Sequence, residues 1–357
     1  MTHDGGATTA SGGAVCEDDV VALYHCLLDR APESRFAIEA HMTAPSVRAL
    51  VTALVAAPEY QALHRGVHPW EIFAASCDAR SIILSHAAPT PASRPGCLTN
   101  YLGVTTDVRF VASLASRGGE VEGPPIPGNF HAEMVEWAAV LRSVDLARGR
   151  YAVLELGAGW GCWMVNAAAA ARARGLATFA VGVEGDPDHV AFMRAHCAGN
   201  GFGEDVAQIV AAVAGPAAGV ALFPMFQTGA EHYGQEPRFF PDAAAAEAAL
   251  ATGAFRQTPV VTLSALLGEH GPVDLVHIDI QGGETDLVAG SLDALGRLCR
   301  YLVIGTHSRT IDGDLLRLLG GAGWTLEFEK PATIAIDPAG GTATLLDGTQ
   351  GWRNSRL

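Results

Sequence analysis

The spacing of apolar positions changes near residue 150. Before that point it is helical. In "EDDVVALYHCLLDRAPES" Val21, Tyr24, Leu27 and Leu28 share one helical face behind an acidic start. "APSVRALVTALVAAPEYQAL" repeats this with Val47, Leu50, Leu54 and Val55. These stretches predict a small α-helical domain over 18–70. The Gly-, Ser-, Thr- and Ala-rich residues 1–17 ahead of it are expected to be disordered. Pro89, Pro91 and Pro95, then the rigid "PPIPGNF", mark 71–128 as a linker and pre-core segment. "HAEMVEWAAVLRSVDLA" predicts an amphipathic helix that opens a larger domain over 129–357.

From Tyr151 onward short apolar runs alternate with helical patterns. The runs are "YAVLEL", "TFAVGVE", "AQIVAAVA", "VDLVHIDI" and "RYLVIGTH". Between them lie helical stretches such as "DPDHVAFMRAHCAGN" and "DGDLLRLLGGAGW". Near-continuous apolar strands alternating with helices predict an α/β fold, a doubly wound parallel sheet covered on both faces. The tail, "WTLEFEKPA" and then "TATLLDG", predicts a closing antiparallel strand pair.

Composition narrows the classes. The chain has 357 residues, 49% of them hydrophobic and 17% charged, which suits a globular protein. Its net charge of -15 argues against a nucleic-acid partner, because phosphate binding needs a basic face. The seven cysteines are scattered without a CxxC pair and read as reduced thiols of a cytoplasmic protein. No basic start precedes an apolar run, so no signal peptide is expected, and no apolar run is long enough to predict a membrane span. Lys330 is the only lysine. Arginine carries nearly all the positive charge, which reflects genome composition more than function.

Ligands of open parallel sheets bind at the carboxyl ends of the strands. The first strand ends in Glu155 and turns through Gly157, Gly159 and Gly161. Glycines there let the backbone approach a ligand closely. The spacing is G-x-G-x-G, with Cys162 where a phosphate-binding turn would carry its third glycine. With an acidic residue two positions ahead, this resembles the class I S-adenosylmethionine (SAM) methyltransferases. In that reading Glu155 lies near the methionine amine. Glu184 ends the second strand and can accept hydrogen bonds from both ribose hydroxyls, which suits NAD and SAM equally. His277 and Asp279 lie two apart in a strand and share one side, His277 as packing and Asp279 at the strand end. His307 ends the neighbouring strand. Its intrinsic pKa suits a base that takes a proton from an acceptor hydroxyl. Asp279 can orient His307, hold the hydroxyl or bind a divalent cation. Glu284 can stabilise the start of the following helix.

From about Tyr151 to Pro331 the chain resembles the FkbM-type methyltransferases. "LELGAGWG" stands at that family's glycine turn and "VGVEGDPDHV" at its ribose segment. "VVTLSALLGEHGPVDLVHIDIQGGETDLVAG" carries its V-x-x-L-x-x-L run and D-L-x-x-I-D-x-x-G-x-E block. Gln281 stands where the family usually has Glu, which removes a charge and leaves a metal site in this loop unsupported. The resemblance implies a class I methyltransferase fold, SAM as cofactor, and O-methylation of hydroxyls on sugars, polyketides and related products. "LYHCLLDRAP" and "LVTALVAAPEY" resemble the small domain of unknown function often fused to such enzymes, which tilts the acceptor toward a carbohydrate.

Two stretches can complete an acceptor pocket. His131, Glu133 and Trp137 belong to the helical segment before the first strand. His232, Tyr233 and Arg238 lie in the aromatic insertion "FPMFQTGAEHYGQEPRFFP", Phe223 to Pro241. The expectation is a cytoplasmic SAM-dependent O-methyltransferase for a small-molecule or glycan acceptor, with no resident metal assigned and self-association open. Two readings compete: an NAD-dependent oxidoreductase on the same sheet, and a SAM-binding scaffold that has lost catalysis.

Overall fold

The computed structural model describes residues 14–28, 30–57, 59–60, 73–226, 229–239, 242–336, 338 and 340–357. The chain divides into two compact units, Met1–Ile72 and Phe73–Leu357. Residues 1–13 of the stretch expected to be disordered, and 61–70 of the predicted helical domain, lie outside the described residues.

The first unit holds α1 (Glu17–Leu28), α2 (Arg35–Met42) and α3 (Val47–Ala56). Ser34 and Ser46 begin α2 and α3 by accepting hydrogen bonds from Ala37 N and Ala49 N, amides that have no partner within their helices. Val15, Val20, Tyr24, Leu28, Leu50 and Leu54 form its core. The buried stripe of α1 is therefore Val20–Tyr24–Leu28, and Val21 sits at its margin.

In the second unit the order is β1 (Ala74–Ala75), α4 (Ala79–His86), β2 (Cys97–Thr99), β3 (Thr105–Asp107), α5 (Met134–Leu146), β4 (Arg150–Leu156), α6 (Cys162–Ala173), β5 (Ala177–Glu184), α7 (Pro187–Gly199), β6 (Ala207–Ala211), β7 (Val213–Ala214), β8 (Gly219–Pro224), β9 (Arg238–Phe239), α8 (Ala243–Ala251), β10 (Phe255–Val261), α9 (Leu263–His270), β11 (Val273–Ile278), α10 (Glu284–Leu298), β12 (Cys299–Thr306), α11 (Arg309–Gly321), β13 (Thr325–Lys330), β14 (Thr333–Ile336), β15 (Thr342–Leu346) and β16 (Gly348–Arg353). The main sheet runs β1-β13-β16-β12-β11-β4-β5-β6. Strands β6, β5, β4, β11 and β12 are parallel, and β16 is antiparallel to both β12 and β13. An antiparallel strand inserted ahead of the edge sets this sheet apart from the all-parallel dinucleotide fold. It is the Rossmann-like arrangement of class I methyltransferases.

Near-continuous apolar strands bury both faces. Tyr151, Val153, Leu275, Tyr301 and Val303 face α5 and α6, packing with Trp137, Leu141, Met164 and Val165. Leu154, Leu156, Val276, Ile278, Leu302 and Ile304 face the other way, with Leu266, Leu287, Leu295 and Leu315 of α9, α10 and α11.

Three expectations change. Residues 73–128 are not a separate linker: β1 pairs with β13, and Ala79 and Ile83 of α4 enter the core around Trp137. "AQIVAAVA" is split at Ala212, with β6 in the main sheet and β7 in a second sheet ordered β7-β10-β8-β9. "TATLLDG" does not pair with β13. It forms the exposed ribbon β14–β15, and the closing antiparallel pair is β13 with β16. Gly348 explains the choice: a Cβ there would collide with Thr306 Oγ1 and the Lys330–Ala332 backbone, so only glycine passes so close to β12.

Buried Asp312 locks this edge. It accepts hydrogen bonds from Thr306 Oγ1 and Ala332 N, and its carbonyl accepts from Gln350 Nε2. Asp312→Ala strands Thr306 Oγ1 and Ala332 N, while the backbone carbonyl that Gln350 uses remains, and should cost about 3 kcal/mol. Urea unfolding at pH 7 measures it; a loss under about 1 kcal/mol contradicts this role.

Candidate active site

At the carboxyl end of β4 the chain turns through Gly157, Gly159 and Gly161, with φ of 73°, 53° and 74°. Only glycine adopts such angles without strain. A Cβ on Gly157 would collide with the carbonyl oxygen of Asp279, so this turn touches the β11 end backbone to backbone. On Gly161 a Cβ would lie 2.7 Å from Met193 Cγ of α7. Gly159 N donates to Glu184 Oε2 at 2.8 Å, and Asp186 N donates to Glu184 Oε1 at 2.7 Å. Each carboxylate oxygen keeps a lone pair for a ligand hydroxyl.

Glu155 has a structural task that its sequence position did not announce. It accepts hydrogen bonds from Trp163 N and Met164 N, 3.0 and 2.7 Å, the free amides in the first turn of α6. Burial pushes its carboxyl up to about 7, against the opposing pull of His277 and those two amides.

Asp279 and His307 meet as the neighbouring strands required: His307 Nε2 is 3.1 Å from Asp279 Oδ1. Glu284, buried, takes the other ring nitrogen, with Nδ1 2.9 Å from its Oε1. Glu284 also accepts hydrogen bonds from Ile280 N and Gly282 N. Burial lowers the pKa of His307, but its hydrogen bonds to Asp279 and Glu284 outweigh this and lift it to about 10. At neutral pH His307 is thus an imidazolium with both nitrogens donating, and it has no lone pair for a proton. The expected base is instead a cationic clamp. Burial raises the Asp279 carboxyl, yet the His307 contact wins and holds it below the ordinary carboxylate range. Gln281, at φ 63°, donates from Nε2 to Asp279 Oδ1 at 2.9 Å. A Glu at that position would face Asp279 with like charge.

These strand ends surround a cavity of about 390 Å³, within the range of small-ligand sites. Its wall includes Glu155, Gly157, Gly159, Glu184 and Asp279, and also His131, His232 and Tyr233. Tyr233 stacks on His189 with ring centroids 4.2 Å apart, stands edge-on to Trp160, and donates to Phe110 O. The insertion thus lies against the glycine turn, with Tyr233 3.3 Å from where a Gly159 Cβ would be.

Three expected acceptor residues do not line the cavity. Trp137 is fully buried, packed on Tyr101 and Trp163, with Nε1 donating to Asn129 Oδ1. Exposed Arg238 lies over the Phe255 ring. Glu133 pairs with Lys330. Wall residues that went unnoticed in the sequence as ligand contacts include Glu136, Trp160, His189 and His277. Tertiary packing brings Glu136 to the wall, whereas Trp160 sits in the glycine turn, His189 in the ribose segment, and His277 shares a strand face with Asp279. Among the described residues no group of three or more His, Cys, Asp or Glu side chains is placed to hold a metal ion. No helix among them is long and apolar enough to cross a membrane.

The chain is 43% identical over 265 residues to a protein of Jannaschia sp. (strain CCS1) named "Putative methyltransferase", covering 74% of this chain and 94% of that one. It belongs to the same methyltransferase family. No family model matches the chain. Solved structures overlay loosely. The precorrin-6Y C5,15-methyltransferase of Geobacter metallireducens GS-15 gives a TM-score of 0.35 at 11% identity, over 63% of this chain and 89% of that one. A "putative tRNA (m1A22) methyltransferase" of Streptococcus pneumoniae gives 0.31 at 13% identity, over 59% and 67%. Overlays this loose bear on neither acceptor nor chemistry. Family membership and the antiparallel β16 leave the oxidoreductase reading without support.

The His307 clamp has a pH signature. A folded-state pKa raised from about 6.5 to about 10 contributes stability that is fully present below pH 6.5 and is lost as pH rises toward 10. His307→Ala should therefore cost most near pH 6 and progressively less toward pH 10, by denaturant unfolding. An equal cost at both ends would rule the clamp out.

Proposed function

We propose that this protein is a SAM-dependent O-methyltransferase of the FkbM type, acting in the cytoplasm on a hydroxyl of a sugar, glycan or other natural product. The observation that carries this reading is the Asp279 carboxylate, 42% exposed at the cavity wall and kept ionised by His307.

The wall suits SAM. The Glu184 carboxylate can accept from two ribose hydroxyls, and the Gly157–Gly161 turn, bare of side chains at its three glycines, leaves room beside it. Among the described residues no Lys or Arg lines the cavity, whereas Glu136, Glu155, Glu184 and Asp279 do, so a cationic ligand is favoured. Bound SAM supplies an electrophilic methyl group on a sulfonium. An O-methyl transfer needs the acceptor oxygen aligned in line with that methyl and relieved of its proton. Asp279 Oδ1 is engaged by Gln281 and His307, and its second carboxylate oxygen is the one available to a hydroxyl. Accepting that hydrogen bond orients the hydroxyl. The fixed negative charge then stabilises the positive charge that grows on the acceptor oxygen, and the same Asp279 oxygen would receive the hydroxyl proton as the methyl leaves the sulfonium. His307 and Glu284 hold Asp279 in place during the step. The same acidic wall disfavours phosphate-bearing acceptors, consistent with the net charge of -15. Gln281 supports Asp279 directly and so gives no weight to an inactive scaffold.

The test pairs binding with turnover. SAM and S-adenosylhomocysteine should raise the melting temperature while NAD leaves it unchanged, and Glu184→Ala should abolish the shift. With methyl-labelled SAM and a panel of free sugars, glycans and phenols, Asp279→Asn should lower kcat about 10²–10³-fold with donor affinity kept. A shift with NAD alone, or full turnover in Asp279→Asn, would overturn the assignment.

A further inference from the structure

His277 is buried to 1% exposure, yet it lines the cavity. Its Nε2 is held by Glu136 Oε1 of α5 at 2.9 Å, and its ring lies against Trp163 of α6 with centroids 5.4 Å apart. Its Nδ1 is buried and has no hydrogen-bond partner. An unpaired buried ring nitrogen costs about 1–3 kcal/mol unless a ligand completes it.

The cavity offers few positive groups. Among the described residues of the wall, which include no Lys or Arg, only His131, His189, His232 and His277 can carry a cation. His189 bonds Gly229 O through Nε2 and has Nδ1 3.8 Å from Glu184. His131 also has a buried Nδ1 without a hydrogen-bond partner, 3.7 Å from Glu122, but its Nε2 lies near Thr106 Oγ1 and not on a carboxylate. His232 is stacked on Phe226. His277 differs in having one nitrogen fixed by a carboxylate and the other vacant. An α-amino acid needs one cation for its carboxylate and one anion for its ammonium, and here both kinds stand side by side.

We propose that His277 and Glu136 form the seat for the α-amino-acid end of the methyl donor, with His277 donating from Nδ1 to its carboxylate. This rests on the reading of the cavity as a SAM site. Glu136 and Glu155 then face the ammonium, Glu155 being directly opposite His277 in the parallel β4–β11 register. The charged groups around His277 are Glu136 from α5, Glu155 from β4 and Asp279 just past the end of β11, with Cys162 of α6 beside the two glutamates. Burial disfavours the imidazolium, but the bond to Glu136 and the three carboxylate charges outweigh it and raise its pKa above 6.5. Two residues along the strand, Asp279 stays free for the acceptor.

The seat makes donor binding pH-dependent in a way the nucleoside half is not. Calorimetric titration of the full chain between pH 6 and 8.5 compares S-adenosylhomocysteine with 5′-methylthioadenosine, which has the same nucleoside and thioether without the amino-acid end. The S-adenosylhomocysteine Kd should rise above the His277 pKa, by up to about tenfold per pH unit. The 5′-methylthioadenosine Kd should stay flat. Glu136→Gln should move the rise to lower pH. His277→Asn keeps an amide donor near the Nδ1 position but cannot titrate, so the rise of its S-adenosylhomocysteine Kd with pH should vanish, leaving only the opposite trend from Glu155, whose carboxyl ionises at about 7 and then holds the ammonium more tightly. His277→Leu should weaken S-adenosylhomocysteine more than about tenfold and spare 5′-methylthioadenosine. The same pH slope for both ligands, or a wild-type slope retained in His277→Asn, sinks this assignment alone. Binding of neither ligand sinks the SAM reading itself.

Discussion

The candidate site depends on one close approach, between the backbone of Gly157 and the carbonyl of Asp279. Any side chain at Gly157 would force the two apart. Because they touch, the turn after β4 and the loop after β11 form one rigid wall rather than two independent loops. Asp279 N donates to Leu156 O and extends the β4–β11 ladder by one more bond into that wall. The donor and acceptor sides of the cavity are therefore built on adjoining backbone, as positioning of reacting groups requires.

Charge organises what this scaffold holds. Buried carboxylates need partners, and each here has its own set, with His307 shared between two of them. Glu155 takes the helix amides, Glu284 takes loop amides and His307, and Asp279 takes His307 and Gln281. The clamp from Glu284 through His307 to Asp279 fixes the one carboxylate that remains half-open to the cavity. His277 occupies the opposite situation, with a carboxylate on one nitrogen and nothing on the other. Two histidines on neighbouring strands thus differ in role because of what lies at the second ring nitrogen.

The insertion after β8 contributes more than a surface loop. Strands β8 and β9 join β7 and β10 in a second sheet, anchored where β6 gives way to β7 at Ala212. From this base Tyr233 reaches the glycine turn and stacks on His189. Without the second sheet, the chain between β8 and β10 would have no fixed position from which to wall the cavity.

Much of the fold was legible in the sequence. Five apolar runs became strands at or near their expected places, and the glycine spacing with Glu155 and Glu184 marked the ligand end of the sheet. These features are local: strand burial, glycine φ and helix capping depend on a few adjacent residues. Asp279 and His307 were also readable, since parallel neighbours place their ends together. The sequence could not decide their protonation, because Glu284 reaches His307 only through the turn of Gln281 to Gly283. Nor could it tell that Trp137 is core and Arg238 lies outside the cavity wall, or that β13 pairs with β16 and leaves "TATLLDG" in an exposed ribbon. Long-range packing settles those matters: the room beside Gly348, the hydrogen bond at Asn129, and the carboxylate that α5 brings over β11. Local pattern determined which elements form and where their ends fall. Tertiary contact alone decided which nitrogen is free, which carboxylate is paired and which side chain faces the cavity.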